Sequence, residues 1–574
     1  MRKKWGKRLL SLTLAATMMT SLALTGCSSK EKKNENVATE KADDATQESN
    51  SANDTSSEEN STDTVVTDGE YAFTEGITLD SAGTVNVFGF SEGQNYEKVI
   101  DKFEEVTKDT LKTDLNFQWA SDIKTEQPLQ LAAQGDIDLM FDASWLNSGN
   151  NISQGMYKDL SKYFLNPDYP GLYKAFPEEI VEAMKNPADG CIYGIPYFID
   201  YNSLRTIFIR GDWREKLGCE PVVDDETLLA YLEAVDKNKE ELGAVSAAGL
   251  GNRGWYYFHD NTCDLQSNNI FEIQSTGARV TQNAYVLLNG DNSAVEDIMY
   301  VGDPDEGFTN WPSGKNVLNS KAIEFGTKWS QYVNEDAASG GADQDKFAAG
   351  LYGVMEGDLS SYLDLQRKLT TNNKDAKLEY YIYDEPVRNK EKGEVYMNMS
   401  IANNYMYVPY FNDDPDRAMA VVDWIFQCQA NNDLFSLGIE GEDFERVGES
   451  QYVSLNPDNK YVFPSWLWSN NPLYCRYDSE TPEDIMNYRL WASDSSNFKE
   501  NPLSGFSFST QNVSTEFAAF NSIQQDYYSL FMIGTFGDKT EEKLNEFYEK
   551  TKDYTTVIKD DLKKQIETYF SNKK

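Results

Sequence analysis

The stretch "GTVNVFGF" at 83–90 decides the fold, together with "IDLMFDASW" at 137–145. The first is β-branched and aromatic and runs into Ser91 and Gly93, which marks a strand entering a loop. The second is mostly apolar over its whole length, the pattern of a strand covered on both faces. Between them, "NYEKVIDKFEEVTKDT" (95–110) sets Tyr96, Val99, Ile100, Phe103 and Val106 on one helical face. "LNFQW" (115–119) alternates, and "PLQLAAQGD" (128–136) reads as a helix stopped by Gly135. The order β-α-β-α-β predicts a parallel sheet with right-handed crossovers. In such sheets ligands bind beyond the carboxyl ends of the strands, so Gly89 to Glu92, Trp119 and Trp145 stand at the candidate edge.

Further along, "CIYGIPYFIDYNSLRTIFIRGDWREKLG" (191–218) is stiffened at Pro196, alternates, and turns at "RGDW". "DDETLLAYLEAVDKNK" (224–239) has an acidic start and Leu228, Leu229, Leu232 and Val235 at helical spacing. In "NDDPDRAMAVVDWIFQCQANNDLF" (412–435), Asp414 can cap a helix whose first position is Pro415. The end of the chain, from about 537, is strongly helical with alternating charges, and no repeat of 20 to 50 residues is evident.

The chain opens with Arg2, Lys3, Lys4, Lys7 and Arg8, followed by an apolar stretch from Leu9 to Leu24 interrupted by Ser and Thr. This is the pattern of a secretory signal and not of a stable membrane helix. Leu24-Thr25-Gly26-Cys27 resembles a lipobox, which implies lipidation at Cys27 and cleavage before it. Two acyl chains give stable anchoring where one gives marginal binding. Residues 28 to about 70 are Ser, Thr, Asn, Asp, Glu and Lys with almost nothing apolar, a composition that cannot offset its ordering entropy. They read as a flexible tether. No second apolar segment of spanning length follows, so the remainder is expected to be soluble and outside the cytoplasmic membrane.

The formal charge is −42. Without the signal, which carries five basic residues and no acidic one, it falls to about −47. Such a surface disfavours nucleic acid and anionic ligands in general. Aromatic residues make up 13%, with 34 Tyr and 11 Trp, enough to fill a core and still line a cleft. Beyond Cys27 there are five cysteines, Cys191, Cys219, Cys263, Cys428 and Cys475, with no C-x-x-C and no zinc spacing. They are expected to be mostly free thiols. His259 is the single histidine and sits in an aromatic run; no G-x-S-x-G, H-E-x-x-H or P-loop occurs. No cofactor or metal is expected. "NPDNK" (456–460), "GDPDEG" (302–307) and "GADQD" (341–345) are oxygen-rich, but none fits a calcium-binding loop.

The order of these landmarks resembles the ABC-transporter extracellular solute-binding lipoproteins of family 1, the carbohydrate-binding type. To those already quoted are added "FAAGLYGVMEGD" (347–358), "LGIEGEDFE" (437–445), "WLWSNNPL" (466–473) and "GFSFSTQNVSTE" (505–516). The last three resemble segments of the oligosaccharide-binding LplA-like subgroup. The chain departs from the family pattern at Leu351 after Gly350 and at Ser469.

The resemblance implies an α/β, two-lobed, periplasmic-binding-protein-like fold of type II, with hinge strands and a helical C-terminal segment. It places a signal peptide at 1–26, the tether at 27–75, lobe 1 at 80–198 and 384–436, and lobe 2 at 202–382 and 440–574. The chain would cross between lobes near 198–203, 383–387 and 436–440. The function implied is that of a monomeric binding component of an ABC importer, lipid-anchored on the extracellular face of the cell membrane. It would capture a neutral sugar or oligosaccharide by hinge closure and deliver it to a permease, with no bond made or broken.

Aromatic rings stack on sugar faces, while carboxylates and amides hold hydroxyls. Candidate ligand contacts are therefore Trp119 and Trp145 at strand ends, Tyr197, Asp200 and Tyr201 at the first crossing, and Trp255 and Tyr256 in "GWYYFHD". Asp358 after "VMEG", Glu440 at the third crossing, and Trp466 and Trp468 on one side of an extended segment complete the set. Three rivals stand beside this reading. The same fold could take a peptide or another polar metabolite. A cell-surface glycosidase would need only two well-spaced carboxylates. A surface adhesin would lack ligand-driven closure.

Overall fold

A computed structural model describes residues 71–573 apart from 73–75, 144–145, 177, 187–188, 198–199, 252–255, 260–261, 274–283, 338–343, 399–401, 403, 456–460 and 465–472. The β-α-β-α-β start forms as the sequence predicts. β1 (Gly83–Phe90) pairs in parallel with β2 (Thr113–Ala120) along its whole length, from Gly83 opposite Thr113 to Phe90 opposite Ala120. It also pairs in parallel with β3 (Leu139–Ala143), every residue of which is buried. The first crossover helix, Glu97–Thr107, buries Val99 and Phe103.

The second crossover helix differs from its expected limits. It runs Ile123–Ala133, starts under an Asp122 side chain that accepts from the Lys124 N–H, and contains Pro128. The missing Pro N–H removes a helical bond, and the longer helix tolerates the loss. It ends at Gln134, which itself adopts the left-handed conformation (φ 51°), one residue before the Gly135 expected to stop it.

β4 (Gly194–Pro196) follows, and β5 (Arg205–Arg210) begins a second sheet. That sheet takes β6 (Ser246–Gly249), β10 (Tyr352–Asp358) and β11 (Leu378–Ile382) in the order β11-β5-β10-β6. β5 is antiparallel to both β10 and β11, and β6 is parallel to β10. The carboxyl ends of β6, β10 and β11 therefore share one edge. The chain then returns to the first sheet as β12 (Asn404–Tyr407), inserted antiparallel between β3 and β4. The first sheet thus reads β2-β1-β3-β12-β4. A strand arriving from the far side of the other sheet ties the two lobes together.

The return runs later than the expected 383–387. Val387 and Val395 still pack with Leu204, Leu359 and Ile382, and only at β12 is the chain back in the first sheet. Nor is the third crossing a single passage. Beyond Phe435 of the first core, the chain forms the small sheet of β13 (Phe444–Val447), β14 (Gln451–Ser454) and β15 (Tyr477–Asp478). Between β14 and β15, Tyr461 and Phe463 return to the first core. The helix Glu483–Ala492 then joins the cluster of Leu204 and Leu359.

The 412–435 segment is two helices. Asp414 caps Pro415–Phe426 as expected, by accepting from Arg417 N–H, and Gln429–Ser436 follows after a break at Cys428. The helix Asp225–Lys237 carries a capping box at Asp224, and Tyr231 takes the buried place expected of Leu229. A fourth sheet, β7 (Ile270–Ile273), β8 (Ala284–Leu288) and β9 (Val295–Met299), shares a core with the helices Ser514–Met532 and Thr540–Asn572.

Candidate ligand-binding site

Several crossing segments converge where β4 passes to β5. Tyr197 prolongs β4, its N–H donating to the Asn404 carbonyl at 2.9 Å. Asp200 follows, and its Oδ1 is buried yet accepts no hydrogen bond from the described residues. Burial pushes its carboxyl up to about 7; Arg489 pulls the other way and Asp358 adds to the rise.

Arg489 belongs to the helix Glu483–Ala492, with its guanidinium over the Tyr477 ring at 4.8 Å. Its Nε, and the indole Nε1 of Trp491 on the same helix, are also buried without a partner among the described residues. Cys475, on the approach to β15, has its thiol pushed up to about 11 by burial, against the pull of Arg489. The Tyr197 hydroxyl is raised by burial and by Cys475 and Asp200. Buried polar atoms are paired in the great majority of cases, and each unpaired one costs roughly 1–3 kcal/mol. Asp200 and Arg489, near enough to feel each other's charge, leave an acceptor and a donor without partners among the described residues, a pair suited to a hydroxyl-bearing guest.

The structure brings Tyr197, Asp200 and Asp358 together. Asp358 stands opposite Arg205 in the ladder, and its carboxylate accepts from Ser360 N–H at 2.9 Å, so one of its oxygens caps the turn after β10.

Tyr201 packs against both cores, stands 6.5 Å from the Phe498 ring, and bonds Ala492 and Asn398 through its backbone. It is hinge packing. Trp119 donates its indole N–H to the Tyr96 hydroxyl (3.0 Å), stacks on Phe117 (5.5 Å, 10°) and meets Phe463 edge-on. Its polar handle is therefore engaged within the protein. Glu440 is ion-paired with Arg446 at 2.5 Å beside Gly441 (φ 82°), whose N–H donates to the Phe444 carbonyl; it holds a turn.

Trp145, Trp255, Trp466, Trp468 and Cys27 lie outside the described residues, as does the side chain of Tyr256, which starts the turn Tyr256–His259. The segment before "WLWSNNPL" is pinned where Val462 bridges Gln94. Gly93 is required there, because a Cβ would fall 2.4 Å from the Val462 carbonyl oxygen. After it, Arg476 forms a buried pair with Asp433 at 2.7 Å.

Sequence reasoning missed Cys475, Tyr477, Arg489 and Trp491. "YCRYD" and "NYRLW" carry no spacing that marks a site; what makes them one is the meeting of distant segments. Among the described residues no cluster of His, Cys, Asp and Glu could hold a metal ion. In "GDPDEG", Asp303 is taken by Lys559 (2.6 Å) and Asp305 by Asn316 N–H (3.0 Å); "NPDNK" and residues 341–343 lie outside the described residues. Cys191, Cys219, Cys428 and Cys475 form no disulfide among the described residues.

The strand order and the hinge define a two-lobed fold of the type II periplasmic-binding-protein kind. Solved structures share it. The N-glycan transport solute binding protein (NgtS) from Streptococcus pneumoniae aligns with a TM-score of 0.65 and 16% identity, over 86% of this chain and 100% of that one. The same protein in complex with Man1GlcNAc aligns at 0.60 and 16%, over 85% and 100%. An HMO binding, ABC-transporter associated solute binding protein from Bifidobacterium longum infantis aligns at 0.54 and 14%, over 86% and 99%. At these identities the likeness is one of fold. Residues 502–571 match a family described as a domain of unknown function, DUF3502; they include both C-terminal helices. No curated protein sequence matches significantly.

Proposed function

We propose that this chain is the substrate-binding component of an ABC importer, of the LplA-like subgroup, for a neutral sugar or oligosaccharide. The observation that carries the reading is the buried pair of Asp200 Oδ1 and Arg489 Nε, each without a hydrogen-bond partner among the described residues, where the crossing segments meet. A hydroxyl both donates and accepts, so one polyol can satisfy the carboxylate and the guanidinium N–H together. Contacts made with both lobes shift the open–closed equilibrium toward closure. A permease would read the closed form, and the ligand leaves chemically unchanged. Complexes of the pneumococcal protein with glycans of the N-glycan type support this ligand class. The chain would act as a monomer, anchored through lipid on Cys27 at the outer face of the cell membrane.

One observation favours a second reading. Asp200, with its carboxyl raised to about 7, lies near enough to Asp358 to feel its charge, and two neighbouring carboxyl groups are the equipment of a glycosidase. Against it, one Asp358 oxygen already caps a turn.

A thermal-shift screen against oligosaccharides, with X-ray scattering for closure, tests the proposal. A ligand at 100 times its Kd stabilises by about 2.7 kcal/mol, and the scattering radius should shrink. A response to peptides but not to sugars removes the ligand class; release of reducing sugar establishes the glycosidase. Replacing Cys27 by Ala should release the protein into the medium, and retention on the membrane would end the anchoring proposal.

A further inference from the structure

The fourth sheet and the two C-terminal helices form a module that includes the residues matched to DUF3502. One helix joins it to the second lobe. Val317–Glu324 sends Leu318 and Ala322 into the core of the module. Its continuation, Phe325–Trp329, sends Phe325 and Trp329 into the core that holds Ile207, Ile209 and Val354 of the second sheet. Close-packed cores deform little, so a helix shared by two of them makes the module move with the second lobe.

The same module reaches the first lobe. Its segment 499–510 starts beside the chain that returns to the first sheet: Met397 N–H donates to the Lys499 carbonyl at 2.8 Å, and Asn501 Nδ2 donates to the Met397 carbonyl at 3.1 Å. It then meets two helices of lobe 1. Thr510 Oγ1 donates to Asn150 Oδ1 at 3.2 Å. A Cβ on Gly149 would fall 3.3 Å from Ser507 Oγ, and one on Gly505 would fall 2.9 Å from the Ala183 carbonyl oxygen. Gly149 and Asn150 belong to Ser148–Ser153, which follows the carboxyl end of β3. Ala183 belongs to Glu178–Met184, whose Ile180 and Val181 lie in the first core. The contact therefore stands at the edge of the first sheet where ligands are expected.

The two sides of this contact are unequal. From the module, Gln565 holds Ser509 by both backbone groups, accepting from its N–H at 2.9 Å and donating to its carbonyl at 2.7 Å. Tyr569 donates to the Ser504 carbonyl and meets the Phe506 ring edge-on at 5.7 Å, and Leu503 and Phe508 are buried in the core of the module. Towards lobe 1 the segment offers a hydroxyl–amide bond and close van der Waals packing. Water can replace such a bond once the lobes part, whereas the ties to the module are locked in its core. A hinge motion would thus free the segment from lobe 1 and leave it on the module.

We propose that the C-terminal module is a latch: it travels with the second lobe, and its segment Ser504–Thr510 clips onto Ser148–Ser153 and Glu178–Met184 of the first when the lobes close. The arrangement described here is the clipped one. The proposal rests on the two-lobed hinge but on no particular ligand, so it stands or falls apart from the sugar reading.

The test locks and wedges the contact in the intact protein. Gly149→Cys/Ser507→Cys brings two thiols within disulfide reach, and a mild oxidant should close the bond. Ser507→Trp, at an exposed position, should wedge the contact open. Without ligand, X-ray scattering should give the smallest radius for the oxidised double variant and the largest for Ser507→Trp, with reductant returning the first to the parent radius. Amide exchange over 148–153 should speed about tenfold in Ser507→Trp. Thr510→Val, which keeps the shape and removes the bond, should shift the radius the same way by less, and it decides if the wedged variant fails to fold. Equal radii for the locked, parent and wedged proteins, or no disulfide under oxidant, would overturn the latch. Any saccharide that binds should leave the oxidised variant about tenfold more slowly, with reductant restoring the rate; unchanged release would overturn the latch and leave the importer reading intact. If no saccharide binds, the sugar reading falls and the scattering alone decides the latch.

Discussion

Two buried aspartates behave in opposite ways. Asp142, at the end of β3, accepts from Tyr157 hydroxyl (2.6 Å), Asn151 Nδ2 (2.8 Å), its neighbour Ala143 N–H (2.7 Å) and Asn147 N–H (3.4 Å). Asp200, at the hinge, leaves Oδ1 without a donor among the described residues. Burial raises the pKa of both. A carboxylate surrounded by donors on neighbouring elements is a strut, and it fastens the helix Ser148–Ser153 to the first sheet. A carboxylate left with an unfilled oxygen where the lobes meet is available to something that arrives later. The comparison separates structural from functional burial by counting partners, which burial alone cannot do.

Asp142→Ala gives the largest expected effect. It leaves the Tyr157 and Asn151 donors unpaired in the core and should cost about 3 kcal/mol or more in denaturant unfolding. Asp200→Asn should cost no stability at neutral pH but weaken ligand binding about tenfold by calorimetry, because a charge-assisted acceptor is lost. If the two variants lose equal stability, the distinction drawn above fails.

The pH dependence sharpens it. Below pH 4 Asp200 is protonated in both the folded and the unfolded chain. Between about 4 and 7 the folded chain keeps a proton that the unfolded chain has released, so stability falls as pH rises through that window. The melting temperature of Asp200→Asn should accordingly gain on the parent between pH 5 and pH 8; a constant difference would place Asp200 in water. The smallest effects belong to the two candidates that the fold has already engaged. Trp119→Phe should lose about 1 kcal/mol with its bond to Tyr96, and Glu440→Ala less than about 1 kcal/mol. Neither should alter ligand affinity, and a tenfold loss in either would return that residue to the site.

The helix Ile123–Ala133 marks how far local pattern carries. Its end was legible near Gly135, but its start was hidden, because Pro128 reads as a helix opening when it lies inside one. The break at Cys428 was likewise invisible, since apolar spacing continues across it. Of the candidate site, Tyr197, Asp200 and Asp358 were legible because a crossing and a strand end announce themselves in sequence. Arg489 was not, for it sits nearly three hundred residues from Asp200 on a helix of ordinary pattern.

What the sequence determined by itself is whatever depends on neighbours two to four positions apart: the parallel β-α-β start, the cap at Asp414, and the absence of a catalytic motif. Only the tertiary structure decided which polar side chains are satisfied. Trp119 and Asp142 find their partners on other elements, and Asp200 does not. Hydrogen-bond satisfaction is a property of atoms brought together by folding, and no local pattern records it.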